Sequence, residues 1–287
     1  MQFQKLSSTD GFIAFDLGDA PAVGVVRLAP KVLRDGAELL ARSTTYAAAS
    51  FGVSVGGGSA GLNAKPEARD AAIAAFLEEV AALVESGRWL PGPGVGMTVA
   101  DLAPLPKADA RAAAFDPVAT GESAVAAALG VLGTLDGKRL AVVGAGPSAD
   151  AAVASATENG ATTEAGASFD ADCDALLVAG KTGVLEHDLA AIVKAKAVVP
   201  LSAVPVTARA LAVLGRADVV VVPDFLSLAG PLLAAVDPDG GDPMERVHDA
   251  VAALADQGVG LWMAAVARAE VHLATWQDAL PFGRPLA

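Results

Sequence analysis

Lys138-Arg-Leu-Ala-Val-Val-Gly is a short apolar run that passes directly into Gly144-Ala-Gly146-Pro-Ser-Ala149. A strand that ends in glycines and feeds a helix constrains the fold strongly, because such strands pair in parallel through right-handed crossovers. The pattern continues downstream. Compact apolar runs at 175–179, 197–201 and 218–222 are separated by helical stretches at 186–194 and 207–214, and 121–132 forms a helix before the first of them. The expected fold class is therefore α/β with a parallel sheet.

The amino-terminal part has a different rhythm. Residues 11–16 and 23–28 are expected as short strands around a Gly-Asp-Ala-Pro turn, followed by an amphipathic helix over about 30–42. Pro66 opens a one-sided helix over 68–86 that Gly87 stops. Residues 90–96 are expected as a Gly/Pro loop and 102–117 as a connecting segment. The chain, at 287 residues, exceeds the roughly 100–200 residues of one domain, so two are expected. The boundaries fall at 1–117 and 118–258, and 259–287 carries a last helix over 260–279 with Trp262, Val266, Ala269 and Leu273 on one stripe. That helix is expected to pack back on the cleft or on a partner.

Charge narrows the partners. The chain carries 20 Lys and Arg against 33 Asp and Glu, a formal charge of -13, which repels nucleic acid and anionic lipid. The most apolar window, 225–236, is too short to span a bilayer. With Cys173 as the single cysteine and no signal-peptide core, a cytoplasmic location is expected. His187, His248 and His272 are far apart and are expected on the surface or on helix faces, so no metal site is expected.

Gly144, Gly146 and Ala149 fit G-x-G-x-x-[GA], the turn that brings a pyrophosphate to a helix N-terminus. Two readings are open: a retained nucleotide or phosphate site, and close strand-to-helix packing. Glu164 has nearly the spacing of the acidic residue that binds the ribose, but Thr162-Thr-Glu-Ala-Gly is a poor strand. About a dozen residues separate Gly160 from the next apolar run, too few for the usual crossover helix and third strand.

The segment Thr44-Thr-Tyr46-Ala47-Ala-Ala-Ser50-Phe-Gly-Val-Ser54-Val-Gly56-Gly57-Gly58-Ser59-Ala-Gly-Leu62 resembles M-T-Y-K-x-A-x-x-x-L-x-x-G-G-G-K-x-x-I of the glutamate/leucine/phenylalanine/valine dehydrogenases. Collinear pieces extend the resemblance over nearly the whole chain: Gly11-Phe-Ile-Ala-Phe, Pro21-Ala-Val-Gly24-Val25-Val-Arg27, Ala119-Thr120-Gly121, Val204-Pro205-Val-Thr207 and Pro223-Asp224-Phe-Leu-Ser-Leu228-Ala229-Gly230. It implies a mixed-sheet amino-terminal domain for substrate and oligomerisation, a truncated Rossmann-like domain, and homo-oligomers. It also implies NAD(P) as cofactor in an interdomain cleft, with Thr120 on the cofactor side and Gly24, Tyr46, Gly56, Gly57 and Gly58 at the substrate. The departures fall on the chemistry. The family's two lysines align with Ala47 and Ser59 and its catalytic aspartate with Gly94, while two cofactor-side asparagines align with Ala203 and Leu228 and Ala167 takes the place of the ribose acid. Pro231 replaces a glycine of the same run.

Loss of an acid/base pair, each member worth about 10²- to 10⁴-fold, implies loss of oxidative deamination. Two functions are therefore expected as alternatives: a binding, regulatory or structural protein, and a redirected NAD(P)-dependent oxidoreductase such as an imine reductase. The substitutions weaken the expectation that NAD(P) is held, and a small molecule is the open candidate for the cleft. Arg27 and Lys65 are candidates for replacing the lost positive charge, or are solvated or ion-paired side chains. Tyr46 either lines the cleft or is a half-buried aromatic, and Gly56, Gly57 and Gly58 form either an open ligand site or a packing turn. Ser50, Ser54 and Ser59 have no histidine near in sequence to activate them.

Overall fold

The computed structural model describes residues 1–255, 260–281 and 283–287; the expected boundary at 258 lies outside them. A first sheet contains β1 (Gln2–Lys5), β2 (Gly11–Phe15), β3 (Ala22–Ala29), β4 (Gly56–Asn63) and β5 (Trp89–Pro93) in the order β1-β2-β4-β3-β5. The pairs β1/β2 and β2/β4 are antiparallel, whereas β3 is parallel to β4 and β5. Parallel neighbours need a crossover. α1 (Arg34–Ser50) makes the one from β3 to β4, and α2 (Arg69–Glu85) runs between β4 and β5. Ala72, Ile73, Phe76, Val80 and Val84 of α2 recur at helical spacing and are buried, with Phe76 edge-on to Trp89 at 6.1 Å.

α3 (Ala108–Ala114) and α4 (Pro117–Leu132) lead to a second sheet. Its strands β6 (Arg139–Val143), β7 (Thr162–Ala165), β8 (Ala175–Val178), β9 (Ala197–Pro200) and β10 (Val220–Val221) are all parallel, in the order β10-β9-β8-β6-β7. The connecting helices are α5 (Pro147–Glu158), α6 (His187–Ala190) and α7 (Ala208–Arg216). The chain then continues through α8 (Asp224–Ser227), α9 (Ala229–Val236), α10 (Pro243–Ala255) and α11 (Leu261–Leu273). α11 lies against α1: Tyr46 Oη donates to Glu270 at 3.1 Å, and Arg268 Nε caps the Ser50 carbonyl at 2.6 Å. One large apolar cluster joins both halves, with Val23, Tyr46 and Ala47 in contact with the set that contains Leu140, Phe225 and Trp262.

Several local expectations are corrected. Residues 90–96 are not all loop, because β5 occupies the edge beside β3, where Pro91 and Pro93 need donate to no outer neighbour. Thr162–Ala165 does form a strand; it is an edge strand with largely exposed residues, so its polar composition is no obstacle. The expected turn at Gly56, Gly57 and Gly58 is the start of the buried strand β4. The helix expected to end near 42 runs on to Ser50, and the connecting segment 102–117 contains α3. The last helix stops at Leu273 rather than 279.

Why β4 begins with glycine follows from how close α1 lies. A Cβ on Gly57 would collide with the Ala41 carbonyl of α1, and one on Gly24 would collide with the Gly58 carbonyl. A Cβ on Gly58 would stand 2.8 Å from Trp89 Nε1. Gly57→Ala is expected to cost about 3 kcal/mol or more, because backbone must move to admit the methyl group. Gly215→Ala, in α7 with open space around it, is expected to be neutral or to stabilise by about 0.5 kcal/mol. Urea unfolding of both variants measures the contrast.

Candidate functional site

Between the two sheets lies a cavity of about 290 Å³. Gly24 of β3, Ser43, Thr44 and Ala47 of α1, and Pro93 of β5 line one side. Thr120 of α4, Ser148 of α5, Ser202 and Ala203 after β9, and Asp224, Phe225, Leu228 and Pro231 line the other. Ligand sites in open α/β sheets gather at the carboxyl ends of the strands, and Leu201 to Ala203 occupy that position after β9. The walls are mainly apolar, and Asp224 is the one ionisable group among the described residues that form them.

The wall hydroxyls are largely committed to the protein. Ser43 Oγ donates to Asp224 Oδ2 at 2.6 Å, Thr44 Oγ1 to the Leu40 carbonyl at 3.2 Å, and Thr120 Oγ1 to the Asp116 carbonyl at 2.7 Å. Ser202 Oγ accepts from the Gly180 amide at 3.0 Å. Asp224 also accepts from the Val204 amide at 2.9 Å. Val204 has φ of 50°, a left-handed conformation that a β-branched residue adopts only under constraint. One buried carboxylate thus ties α1 to a strained turn of the second sheet. Burial pushes its carboxyl up to about 6, although the Ser43 hydroxyl and backbone amides favour the ionised form.

Gly24, Ala47, Thr120, Ala203, Leu228 and Pro231, scattered along the sequence, meet in this one cavity. Ser59, Gly94, Tyr46, Gly56, Gly57 and Gly58 lie outside its wall. Ser59 is buried in β4 with a hydroxyl that has no partner, and Gly94 follows β5, its amide donating to the Val26 carbonyl at 2.9 Å. Tyr46 is buried, with its ring 5.6 Å from that of Phe225. Neither Arg27 nor Lys65 supplies charge to the cavity: Arg27 Nη2 donates to the Leu33 carbonyl at 3.4 Å, and Lys65 is exposed. Sequence reasoning singled out neither Ser43 nor Asp224 as functional. An aspartate bordering the apolar run 225–236 was the available signal.

A dinucleotide finds only part of a site. Gly144 and Gly146 have φ of 94° and 125°, a Cβ at Gly146 would meet nothing within 4 Å, and Gly146 caps the N-terminus of α5. That turn is open to a phosphate. Beyond it the fit fails. β7 is the edge of the sheet, its end carries Ala165 and Gly166, Ala167 is buried in an apolar cluster, and Glu164 is exposed at mid-strand. Ala203, Leu228 and Pro231 bring no side-chain amide to the cavity.

Elsewhere, folding brings Ser54 Oγ within 3.3 Å of His272 Nε2, a pairing that sequence distance hid. The pair is exposed, and the imidazole also stands near Trp276, with ring centroids 6.5 Å apart; among the described residues no acid is bonded to it to orient it as a general base. Among the described residues no group of three His, Cys, Asp or Glu could hold a metal ion.

Asp224 has a pH signature. Its folded-state value lies above that of a free carboxyl, so between about pH 4 and 6 the native state binds more protons than the unfolded chain. Its contribution is therefore present below that window and lost as pH rises through about 6, by roughly 3 kcal/mol in total at pH 7. The stability of Asp224→Asn relative to the parent, from urea unfolding, is expected to improve by up to that amount between pH 4 and 7. A difference independent of pH would contradict the burial of an ionised carboxylate.

No family model and no curated protein matches the chain. Solved structures do. Hetero-hexameric glutamate dehydrogenase from Thermus thermophilus, in its Leu-bound form, is 21% identical with a TM-score of 0.76, covering 97% of this chain and 89% of that one. L-Tryptophan dehydrogenase from Nostoc punctiforme is 21% identical with a TM-score of 0.70 and 96% coverage of both chains. Plasmodium falciparum glutamate dehydrogenase is 13% identical, with a TM-score of 0.74 over 94% of this chain and 80% of that one. The mixed sheet followed by an all-parallel sheet thus matches the two-domain fold of these dehydrogenases.

Proposed function

We propose that this protein binds a small molecule in the intersheet cavity and has lost NAD(P)-dependent oxidative deamination, serving as a binding, regulatory or structural member of the dehydrogenase fold. The composition of the cavity wall carries this reading: among the described residues it contains no lysine or arginine, and its single ionisable group is Asp224. Deamination needs a cation for the substrate carboxylate and a proton relay at the α-carbon. Where the resemblance places the lysines stand Ala47 and Ser59, and Gly94 stands for the aspartate. A ligand carboxylate about 6 Å from Asp224 would be repelled by about 3 kcal/mol at an effective dielectric of 20. This adds to the cost of its own desolvation.

The alternative, a redirected NAD(P)-dependent oxidoreductase, is supported by the open turn at Gly146 ahead of α5, although Gly144 packs closely against the Ala179 carbonyl. It is opposed by the missing ribose acid and by Ala203 and Leu228. The same reading includes a domain division near Pro117, a cytoplasmic location, and assembly into homo-oligomers. The hetero-hexameric state of the Thermus thermophilus glutamate dehydrogenase supports assembly of this fold. Among the described residues no helix is long and apolar enough to cross a membrane.

Two measurements test the proposal together. Titration with NADH and NADPH is expected to show no binding at micromolar concentrations, and assays with leucine, valine, phenylalanine and glutamate are expected to show no oxidation. Micromolar binding would favour the oxidoreductase reading, and turnover of any of the four amino acids would refute the loss of deamination.

A further inference from the structure

We infer that the cavity selects a small monoamine with an apolar body, holding its ammonium group at Asp224 and rejecting amino acids that carry a free carboxylate. This rests on the small-molecule reading above and specifies its ligand class. The first observation is charge. Asp224 is buried, and its donors are the Ser43 hydroxyl and the amides of Val204, Asp224 and Phe225. Neutral donors satisfy the oxygens without cancelling the charge, and buried charges are ordinarily paired. Arg42, the buried cation next to Ser43 on α1, is already bound to Asp16 at 2.7 Å. An ammonium entering the cavity would be the missing counterion.

The second observation is hydrogen-bond polarity. A hydroxyl has one proton to donate and two lone pairs. Ser43, Thr44 and Thr120 each spend that proton on a protein acceptor, so what these three can still offer a ligand is acceptor capacity, while Ser202, which accepts from the Gly180 amide, keeps its proton. An ammonium group, with three donors and no acceptor, complements Asp224 and these three hydroxyls, whereas a carboxylate, which only accepts, does not. The third is size and surface. At about 290 Å³ the cavity is at the small end of ligand sites, and Ala47, Phe115, Phe225, Leu228 and Leu232 leave the rest of it apolar.

Calorimetric titration of the intact protein at neutral pH separates the possibilities, using primary alkylamines from propyl to octyl, the matched alcohols, and leucine. The fitting amine is expected to bind at least about tenfold tighter than its alcohol, as charge-assisted pairing implies, with leucine weaker still. Asp224→Asn is expected to abolish the preference for amine over alcohol. The comparison of amine with alcohol on the parent protein stands even if that variant does not fold. Equal binding of amine and alcohol, leucine binding as tight as the amine, or a preference that survives Asp224→Asn overturns the inference. Alcohol binding in those cases leaves the small-molecule reading intact, and binding by none of the probes overturns both.

Discussion

The contact between α1 and β4 is the constraint from which the rest of this structure follows. The helix approaches the strand so closely that Gly57 has room for no side chain beneath the Ala41 carbonyl, and its amide donates to Thr45 Oγ1 at 2.9 Å. Every residue of α1 is thereby held at a set height above the sheet. Ser43, Thr44 and Ala47 face the second sheet across the cavity, while Tyr46 packs on Phe225. Arg268 and Arg246 hold the carbonyls of Ser50 and Phe51 at the C-terminal end of α1, where cations suit the helix dipole. A larger residue at Gly57 would displace the cavity wall along with the helix.

Two buried carboxylates flank this helix and differ in how their charge is met. Asp16 faces the guanidinium of Arg42 with two bonds from Nε at 2.7 and 2.8 Å, and Arg42 Nη1 reaches the Gly283 carbonyl at 2.5 Å. Asp224 has neutral donors and a carboxyl pushed up to about 6. Ion pairing resolves the first charge inside the protein. Among the described residues only neutral donors meet the second, and that asymmetry underlies the proposed ligand class. The same Asp224 accepts from the amide of Val204 in its left-handed conformation, so one carboxylate serves both the cavity wall and the turn after β9.

How much of this could be read along the chain follows from the range of the forces involved. The parallel strands of the second sheet were visible as apolar runs, because a strand covered on both faces needs apolar residues throughout. The edge strands β5 and β7 were not, although the edge strand β10 was. β7 and β5 carry exposed polar residues or prolines, and nothing local distinguishes them from loop until a neighbour offers a ladder. The glycines of β4 looked like a turn because the feature that demands them, the α1 carbonyl at Ala41, comes from another element.

Residue patterns established the alternation of strands and helices, two domains, and too short a connection for the usual third strand, and the family resemblance added the mixed first sheet and the absence of lysine at Ala47 and Ser59. Periodicity and chain length act locally, so these features were fixed before any packing was known. The wall of the cavity was settled in three dimensions. Only packing gathers Gly24, Thr120, Ala203 and Leu228 around Asp224, buries that carboxylate in a wall whose described residues include no lysine or arginine, and turns the Ser43 and Thr120 protons toward protein acceptors. Burial and charge pairing depend on which surfaces meet, and a linear pattern carries no record of that.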